Sequence, residues 1–513
     1  MSSSYDEIPY PSRPASGTHP SHLAAVARLF GMVPAPPANC RVLELGCASG
    51  GNLLPLAVDF PESEFIGIDL SSRQIAEGRA VVDQLRLKNL DLQTLDLNRV
   101  GEQLGTFHYI ICHGVYSWVP RSIQDRILEI GRKQLAPNGV LFVSYNTFPG
   151  WHLRGVVRDM MVYHVREIAD PKTKIAQARA LLDFLVDAAV PPREAYLHLL
   201  RDEAAVLRPR DDGYLYHEHL EDVNEPFYFH QFVERIDEAG LQYLGDTDVA
   251  SMLPTEFSDE VASLLKHATL VQQEQYLDFL RNRMFRGTLL CHRNLEITHQ
   301  IDPRRLAACD VGLEKSINLS NSQDLTTELV CDTSVGKIRV ASPLIQAAVH
   351  VLSESWPGCV TFDSLLQESC RRAAAVGSTM DESTAASELA SNLLSLYLRN
   401  LVRVWEQAPA CVAQPGEYPL ATPLACWQAR RSDVVFNRRH RAVRLTALQA
   451  HLLGLLDGTR DRGQLRKQLR DDLQQGTVAA PEELLDSTDT EDRIGELVDA
   501  TLNELASQAL LIR

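Results

Sequence analysis

The stretch Val42-Leu43-Glu44-Leu45-Gly46-Cys47-Ala48-Ser49-Gly50-Gly51-Asn52 constrains what this chain folds into more than any other. An apolar strand runs into E-x-G-x-x-x-G and then into a helix. The backbone must turn sharply there and lie against whatever rests on it, and only small residues leave that room. The following helix offers free N–H groups to the same place. The pattern is not G-x-G-x-x-G and no GK[ST] follows, so a nucleotide phosphate is not the expected guest. A second strand, Phe65-Ile66-Gly67-Ile68-Asp69, ends in an acid about 20 residues beyond the glycine loop. A carboxylate there can accept both ribose hydroxyls, in charge-assisted bonds of roughly 1.5–3 kcal/mol each. A third acid, Asp96 in Leu95-Asp96-Leu97, ends the third strand, where an adenine amino group would lie. One such acid reads equally well as a helix cap. Three in order point to a nucleoside without phosphates.

Around this motif, strand-like runs at 41–45, 65–68, 90–95, 107–112 and 139–145 alternate with helical stretches near 51–59, 72–86 and 121–135. Apolar, β-branched strands alternating with helices predict a parallel, doubly wound sheet. Ser71-Ser72-Arg73-Gln74 opens its helix as a capping box, and Pro137-Asn138-Gly139 turns into the fifth strand. A short helix at 21–30 precedes the sheet, ended by Gly31 and the Pro34/Pro36/Pro37 cluster. Residues 151–240 are mostly helical by periodicity. Two further strands, 241–246 and 287–292, are expected as an antiparallel pair closing the sheet, with a helical insertion between them that includes 270–285.

Beyond 298 the pattern changes. Residues 300–340 read as loops and short strands. The stretches 342–407 and 434–513 then share a plan: an amphipathic helix (344–352; 445–456), a turn, a long helix and a short apolar strand (401–405; 509–512). That plan is a winged-helix-like repeat. The acidic run 482–492 is expected to be a solvated loop. The fold class is therefore α/β, a doubly wound sheet with helical insertions, followed by α+β winged-helix-like domains. The expected division is 1–297, with insertions at about 151–240 and 250–286, then 298–410 and 411–513.

A chain of 513 residues is too long for one compact core. A net charge of -17 repels phosphate backbones, which disfavours nucleic acid and suits a cationic or lysine-bearing partner. The N-terminus lacks the pattern of a secretory signal, and no run approaches the roughly 20 apolar residues of a spanning helix. Ten cysteines are scattered without a CxxC pair, so neither a zinc site nor a disulfide framework is expected. A cytoplasmic protein with reduced thiols follows. His217-Glu218-His219 lacks H-E-x-x-H spacing and reads as helix surface. Arg430-Arg431 and Arg438-Arg439-His440-Arg441 form the main basic patch, expected to be salt-paired within its own domain.

Residues 44–52 together with Gly67-Ile68-Asp69-Leu70-Ser71 resemble the Rossmann-like S-adenosylmethionine-dependent methyltransferases. More narrowly, the chain resembles the bacterial group that carries a methyltransferase regulatory domain and includes the rickettsial-type protein lysine methyltransferases of outer-membrane protein. The residues behind that likeness are His19-Pro20, 111–120 (ICHGVYSWVP), 145–151 (YNTFPGW), Asn224-Glu225-Pro226-Phe227-Tyr228 and Gln275-Tyr276-Leu277-Asp278-Phe279. The resemblance covers nearly the whole chain, strongest over 5–300. It implies S-adenosylmethionine as cofactor, held by Glu44, Gly46, Cys47, Ala48, Gly50, Asn52, Asp69, Leu70, Gln74, Asp96 and Leu97. It also implies C-terminal domains that help hold a protein substrate or a second subunit. Ala48-Ser49 replaces the second glycine of the common G-x-G form, and alanine is small enough to leave binding intact.

Methyl transfer from a sulfonium needs an in-line approach and an acceptor lone pair. A lysine with a reference pKa near 10.4 is neutral in only about one molecule in a thousand at pH 7.4, a cost of about 4 kcal/mol. An apolar, aromatic entrance lowers that pKa by desolvation. The ends of strands four and five supply such residues. His113 and Tyr116 are the candidate orienting or proton-accepting groups, with Trp118, Tyr145, Asn146 and Trp151 on the substrate side. Cys112-His113-Gly114-Val115 stands where adenine-N-methyltransferases carry [DN]-P-P-[FYW], which counts against methylation of adenine in DNA. Two alternatives stay open: a small-molecule methyltransferase with regulatory C-terminal domains, and a non-catalytic S-adenosylmethionine sensor. A homodimer is compatible with all three.

Overall fold

The computed structural model describes residues 7–8, 10–188, 194–317, 319, 325, 327–333, 336–478 and 490–513. Its centre is a seven-stranded sheet in the order β3-β2-β1-β4-β5-β7-β6. The strands are β1 (Arg41–Leu45), β2 (Glu64–Asp69), β3 (Leu90–Thr94), β4 (Phe107–Cys112), β5 (Leu135–Asn146), β6 (Leu241–Asp246) and β7 (Phe285–His292). The first five run parallel, and β7 and β6 add the antiparallel pair at one edge. Strands covered on both faces must be apolar throughout. Val42, Leu43, Leu45, Tyr109, Ile110, Ile111, Val140, Leu141 and Val143 are accordingly all buried.

The fifth strand begins earlier than the sequence suggests. Leu135 already pairs with Phe107, and Val140 pairs with Tyr109, so residues 136–139 bulge out of the ladder. The Pro137-Asn138-Gly139 turn therefore sits inside β5 rather than before it. The helix Pro20–Leu29 starts on His19, whose ring Nδ1 accepts the Ser21 N–H at 3.1 Å. It is almost entirely buried, because it lies between the sheet and the domain that follows.

Helices Gly150–Val165, Pro171–Ala188 and Glu194–Leu207 form an insertion with a small core of its own around Met161, Ile175, Leu182, Leu200 and Leu207. Helix Leu270–Arg281 is tied to the antiparallel strands through Arg286. This fully buried guanidinium meets Asp246 at 2.6 Å, Asp278 at 2.8 Å and Glu274 at 2.9 Å.

In both C-terminal modules β pairing begins upstream of the expected repeat, as a strand in the first and as isolated bridges in the second. In the first, β8 (Asp310–Leu313) lies between β11 (Val360–Thr361) and β12 (Val402–Trp405). Between β8 and β11 comes the hairpin β9 (Leu329–Thr333) and β10 (Gly336–Val340). In the second, Leu420 and Ala421 pair antiparallel with Asp457 and Leu511. The shared plan thus begins near 310 and near 420, upstream of the amphipathic helices that mark it in the sequence. The second module also holds the short hairpin β13 (Val434–Phe436) and β14 (Ala442–Arg444). One continuous hydrophobic core runs from Leu23 to Leu424, joining the sheet to the first C-terminal module and touching the start of the last, while a separate one is built from residues between Ala421 and Leu511. The acidic run 482–492 falls largely outside the described residues. Among those described, no helix is long and apolar enough to cross a membrane.

The basic patch corrects an expectation. Arg438 pairs with Asp59 at 2.8 Å, Arg439 donates to the carbonyls of Pro357 and Leu313, and Arg441 pairs with Glu314. The partners belong to other modules. These three charges are spent where modules meet, whereas Arg430 donates to the Gly454 carbonyl and Arg431 to the Trp427 carbonyl within the last module.

Candidate cofactor and acceptor site

The loop after β1 is held in its sharp turn by β2. The N–H groups of Gly46 and Cys47 both donate to the Ile68 carbonyl, at 2.8 and 3.0 Å. Gly46 has a φ of 77°, and a Cβ there would lie 2.4 Å from Val115 Cγ2, so only glycine fits. Ala48 takes a left-handed φ of 51°, a conformation that costs an L-residue roughly 1–2 kcal/mol. Asp69 offsets that cost. Its Oδ2 accepts the Ala48 N–H and its Oδ1 the Ser71 N–H, each at 2.8 Å. One carboxylate at the end of β2 therefore fixes both the loop and the start of the helix Ser72–Leu85.

Above the loop lies a cavity of about 690 Å³ along the carboxyl ends of the parallel strands. The strand order spreads its lining along one edge of the sheet. Asp96 and Leu97 follow β3, Asp69 and Leu70 end β2, Gly46 and Ala48 follow β1, His113 and Gly114 follow β4, and Asn146 ends β5. Gln74 joins this wall, and its amide donates to the Tyr10 carbonyl at 3.3 Å. Asp96 both lines the cavity and accepts the Asn98 N–H at 2.9 Å, so it is a turn cap and a wall at once.

Four of the loop residues lie beneath this floor rather than in it. Cys47 and Gly50 pack under the turn, against Gly67 and Leu92. Glu44 and Asn52 are buried side by side, the Asn52 amide donating to Glu44 Oε1 at 2.9 Å. Burial pushes the Glu44 carboxyl up to about 8. Its other oxygen finds no partner among the described residues.

At the far end, His113 lines the cavity while its Nδ1 lies 3.0 Å from Ser144 Oγ, which also accepts the Gly114 N–H. Burial lowers the imidazole to about 4, so it is neutral at physiological pH. Trp118 and Trp151 stand edge to face at 5.9 Å. Asn146 gives its amide to Asn224 Oδ1 at 2.9 Å, and its own Oδ1 has no partner among the described residues.

Tyr116 and Tyr145 do not reach this space. Both are fully buried on the core side, Tyr145 stacked on Phe232 at 4.1 Å and Tyr116 edge-on to the same ring at 5.4 Å. The Tyr116 hydroxyl has no partner among the described residues, and burial drives both phenols well above their ordinary value. As a candidate catalytic group and a candidate substrate contact, respectively, they are replaced by a packing role.

Sequence reasoning missed the opposite wall. Tyr10 and the insertion residues Arg154, Tyr214, His217 and Glu218 close the cavity. The His217-Glu218-His219 segment is not helix surface. It forms a π-helical turn, Tyr216–Leu220, with both histidines buried. Arg154 pairs with Glu203 at 3.1 Å, and Glu203 also holds His219 at 2.9 Å. Glu218 lies 3.9 Å from the same guanidinium, and burial raises its carboxyl above the usual range. Asp69, Asp96 and Glu218 against Arg154 alone leave the lining two charges negative. Among the described residues no cluster of His, Cys, Asp or Glu is arranged to hold a metal ion.

Comparison with known proteins gives three family-model matches: a methyltransferase domain over residues 43–141, a predicted methyltransferase regulatory domain over 211–292, and the PKMT C-terminal winged helix domain over 417–510. The protein RP789 of Rickettsia prowazekii is 31% identical over 99% of this chain and 93% of its own length. A second protein of that organism, RP028, is 41% identical over 45% of this chain. The structure of PKMT2 from Rickettsia typhi in complex with AdoHcy superposes with a TM-score of 0.87 at 30% identity, covering 98% of this chain and 100% of that one.

Proposed function

The chain belongs to the family of the rickettsial PKMT2, and is an S-adenosylmethionine-dependent methyltransferase; from that membership we propose that its methyl acceptors are lysine side chains of proteins. The observation that carries the proposal is the make-up of the cavity: two acids on successive strand ends at one side, and aromatic rings with a third acid at the other.

The first side fits the cofactor. The whole cavity, about 690 Å³, lies within the usual range for small-molecule sites; its single guanidinium, Arg154, stands on the opposite wall and no lysine lines it, so nothing on the first side asks for a phosphate. In our reading Asp69 accepts the ribose hydroxyls and Asp96 the adenine amino group. Gly46 and Ala48 let the backbone approach closely. Glu44 and Asn52 support the loop from below. S-adenosylmethionine supplies an electrophilic methyl group on a sulfonium.

The second side suits a primary amine. The cofactor's sulfonium, ammonium and carboxylate sum to one positive charge, so a lining two charges negative retains attraction for a further cation. Glu218 receives that cation. Trp118, Trp151, Tyr10 and Tyr214 strip water from it, which favours loss of the proton that blocks the lone pair. Asn146 Oδ1 accepts an amine N–H and turns the lone pair towards the methyl group. The neutral His113 adds no positive charge beside the sulfonium.

Methyl-labelled S-adenosylmethionine incubated with the protein and a cell lysate tests the proposal. Label recovered as methyl-lysine after hydrolysis of the protein fraction is expected. Label confined to small molecules would refute it.

A further inference from the structure

The loop 437–441, between β13 and β14, reaches out of the last module and touches the cofactor loop. Its His440 Nε2 lies 2.7 Å from Asn52 Oδ1, both residues being buried. The same Asn52 oxygen accepts the Ala15 N–H at 3.0 Å, and a backbone N–H only donates. That contact fixes which way the amide points. Oδ1 faces His440, so the imidazole must donate through Nε2–H, and the Asn52 NH2 faces Glu44 Oε1. Burial and the neighbouring Arg403 lower His440 to about 3, so it acts as a neutral donor.

The preceding residue in space holds the other end of the same element. Arg438 pairs with Asp59, the last residue of the helix Leu53–Asp59, at 2.8 Å. One loop therefore grips the helix that follows the glycine turn at both ends. The loop itself is rigid. Asn437 Oδ1 accepts the N–H groups of Arg439 and Arg441, and Arg439 lies over the Trp356 ring at 4.6 Å. His440 is held at a left-handed φ of 58°, a strain retained where the surroundings fix the conformation.

We propose that the last module is part of the cofactor site, with His440 a positioning residue that orients Asn52 and, through it, Glu44 beneath the glycine turn. The inference rests on the cofactor reading given above. It assigns the C-terminal module a role in donor binding, distinct from holding the acceptor. A missing Nε2–H leaves the Asn52 oxygen to the Ala15 N–H and the Thr18 hydroxyl at 3.1 Å, both on the N-terminal segment, and removes the last module's hold on Asn52. The turn then relaxes, and donor affinity falls while acceptor affinity does not.

Calorimetric titration of the full-length protein with S-adenosylhomocysteine, alongside acceptor KM at saturating donor, tests this. His440→Ala is expected to weaken donor binding about 10-fold or more with acceptor KM unchanged, and His440→Gln, which restores an N–H donor, to recover most of the loss. Arg441→Ala, which cuts the loop from Glu314 without touching the helix, should bind the donor like wild type. If His440→Ala loses its cooperative melt, Arg438→Met carries the test: it releases the far end of the helix and should also weaken donor binding. Wild-type affinity in His440→Ala, or in Arg438→Met where that variant must serve, overturns the proposal, as does an equal loss in Arg441→Ala. No binding by the wild type would instead refute the cofactor reading itself.

Discussion

Replacing Asp69 with alanine should remove the cofactor from the site without removing the fold. In the free protein the carboxylate already accepts the N–H groups of Ala48 and Ser71, so its position is set before any ligand arrives. Two ribose hydroxyls would add two charge-assisted hydrogen bonds, worth at least about 1.5 kcal/mol each. Their loss amounts to about 3 kcal/mol, or a Kd raised roughly 100-fold or more. Release of Ala48 from its left-handed φ of 51° adds to the loss, because the turn no longer needs to stay in its binding shape. Calorimetry with S-adenosylhomocysteine reads the affinity, and a thermal melt on the same sample reports the fold. Affinity within about 3-fold of wild type, with the melt intact, would refute the reasoning, since no ribose could then rest on Asp69.

Three further outcomes follow from the same geometry. Glu218→Gln should raise the KM for a lysine peptide about 10-fold and shift the acid limb of kcat to lower pH, because an amine without a facing carboxylate holds its proton less tightly; unchanged KM and pH profile would remove Glu218 from the acceptor site. Tyr116→Phe deletes a hydroxyl buried without a described partner, so stability should stay level or rise by about 1 kcal/mol, with kcat within about 2-fold of wild type; a large fall in kcat would return Tyr116 to the chemistry. Burial raises the Glu44 carboxyl to about 8, so its favourable contribution is complete at acid pH and is lost as pH rises through that value. Melting temperatures measured from pH 5 to 9 without ligand should therefore fall more steeply in wild type than in Glu44→Gln, and equal slopes would contradict the assignment.

Much of the sheet and one side of the cavity were legible because they are local. The run from Val42 to Asn52 carries its turn in its glycines, and Asp69 and Asp96 are placed by the strands they end. The acceptor side was less so. Side chains on β5 alternate, and Ser144 and Asn146 face His113 and the cavity while Tyr145 faces Phe232. A list of aromatic residues after a strand ignores that alternation. Tyr116 and Trp118 part in the same way across the single turn Tyr116–Trp118. Glu218 escaped because a π-helical turn swings it inward, whereas α-helical spacing placed its segment on the surface. The contact between His440 and Asn52 joins residues 388 apart, and no local pattern announces it.

The most direct measurement is a crystal structure of this protein with S-adenosylhomocysteine. The account predicts the ribose on Asp69, the adenine beside Asp96, and the sulfur turned towards Asn146, Trp151 and Glu218. A ligand bound elsewhere, or one whose sulfur faces away from that aromatic wall, would contradict it.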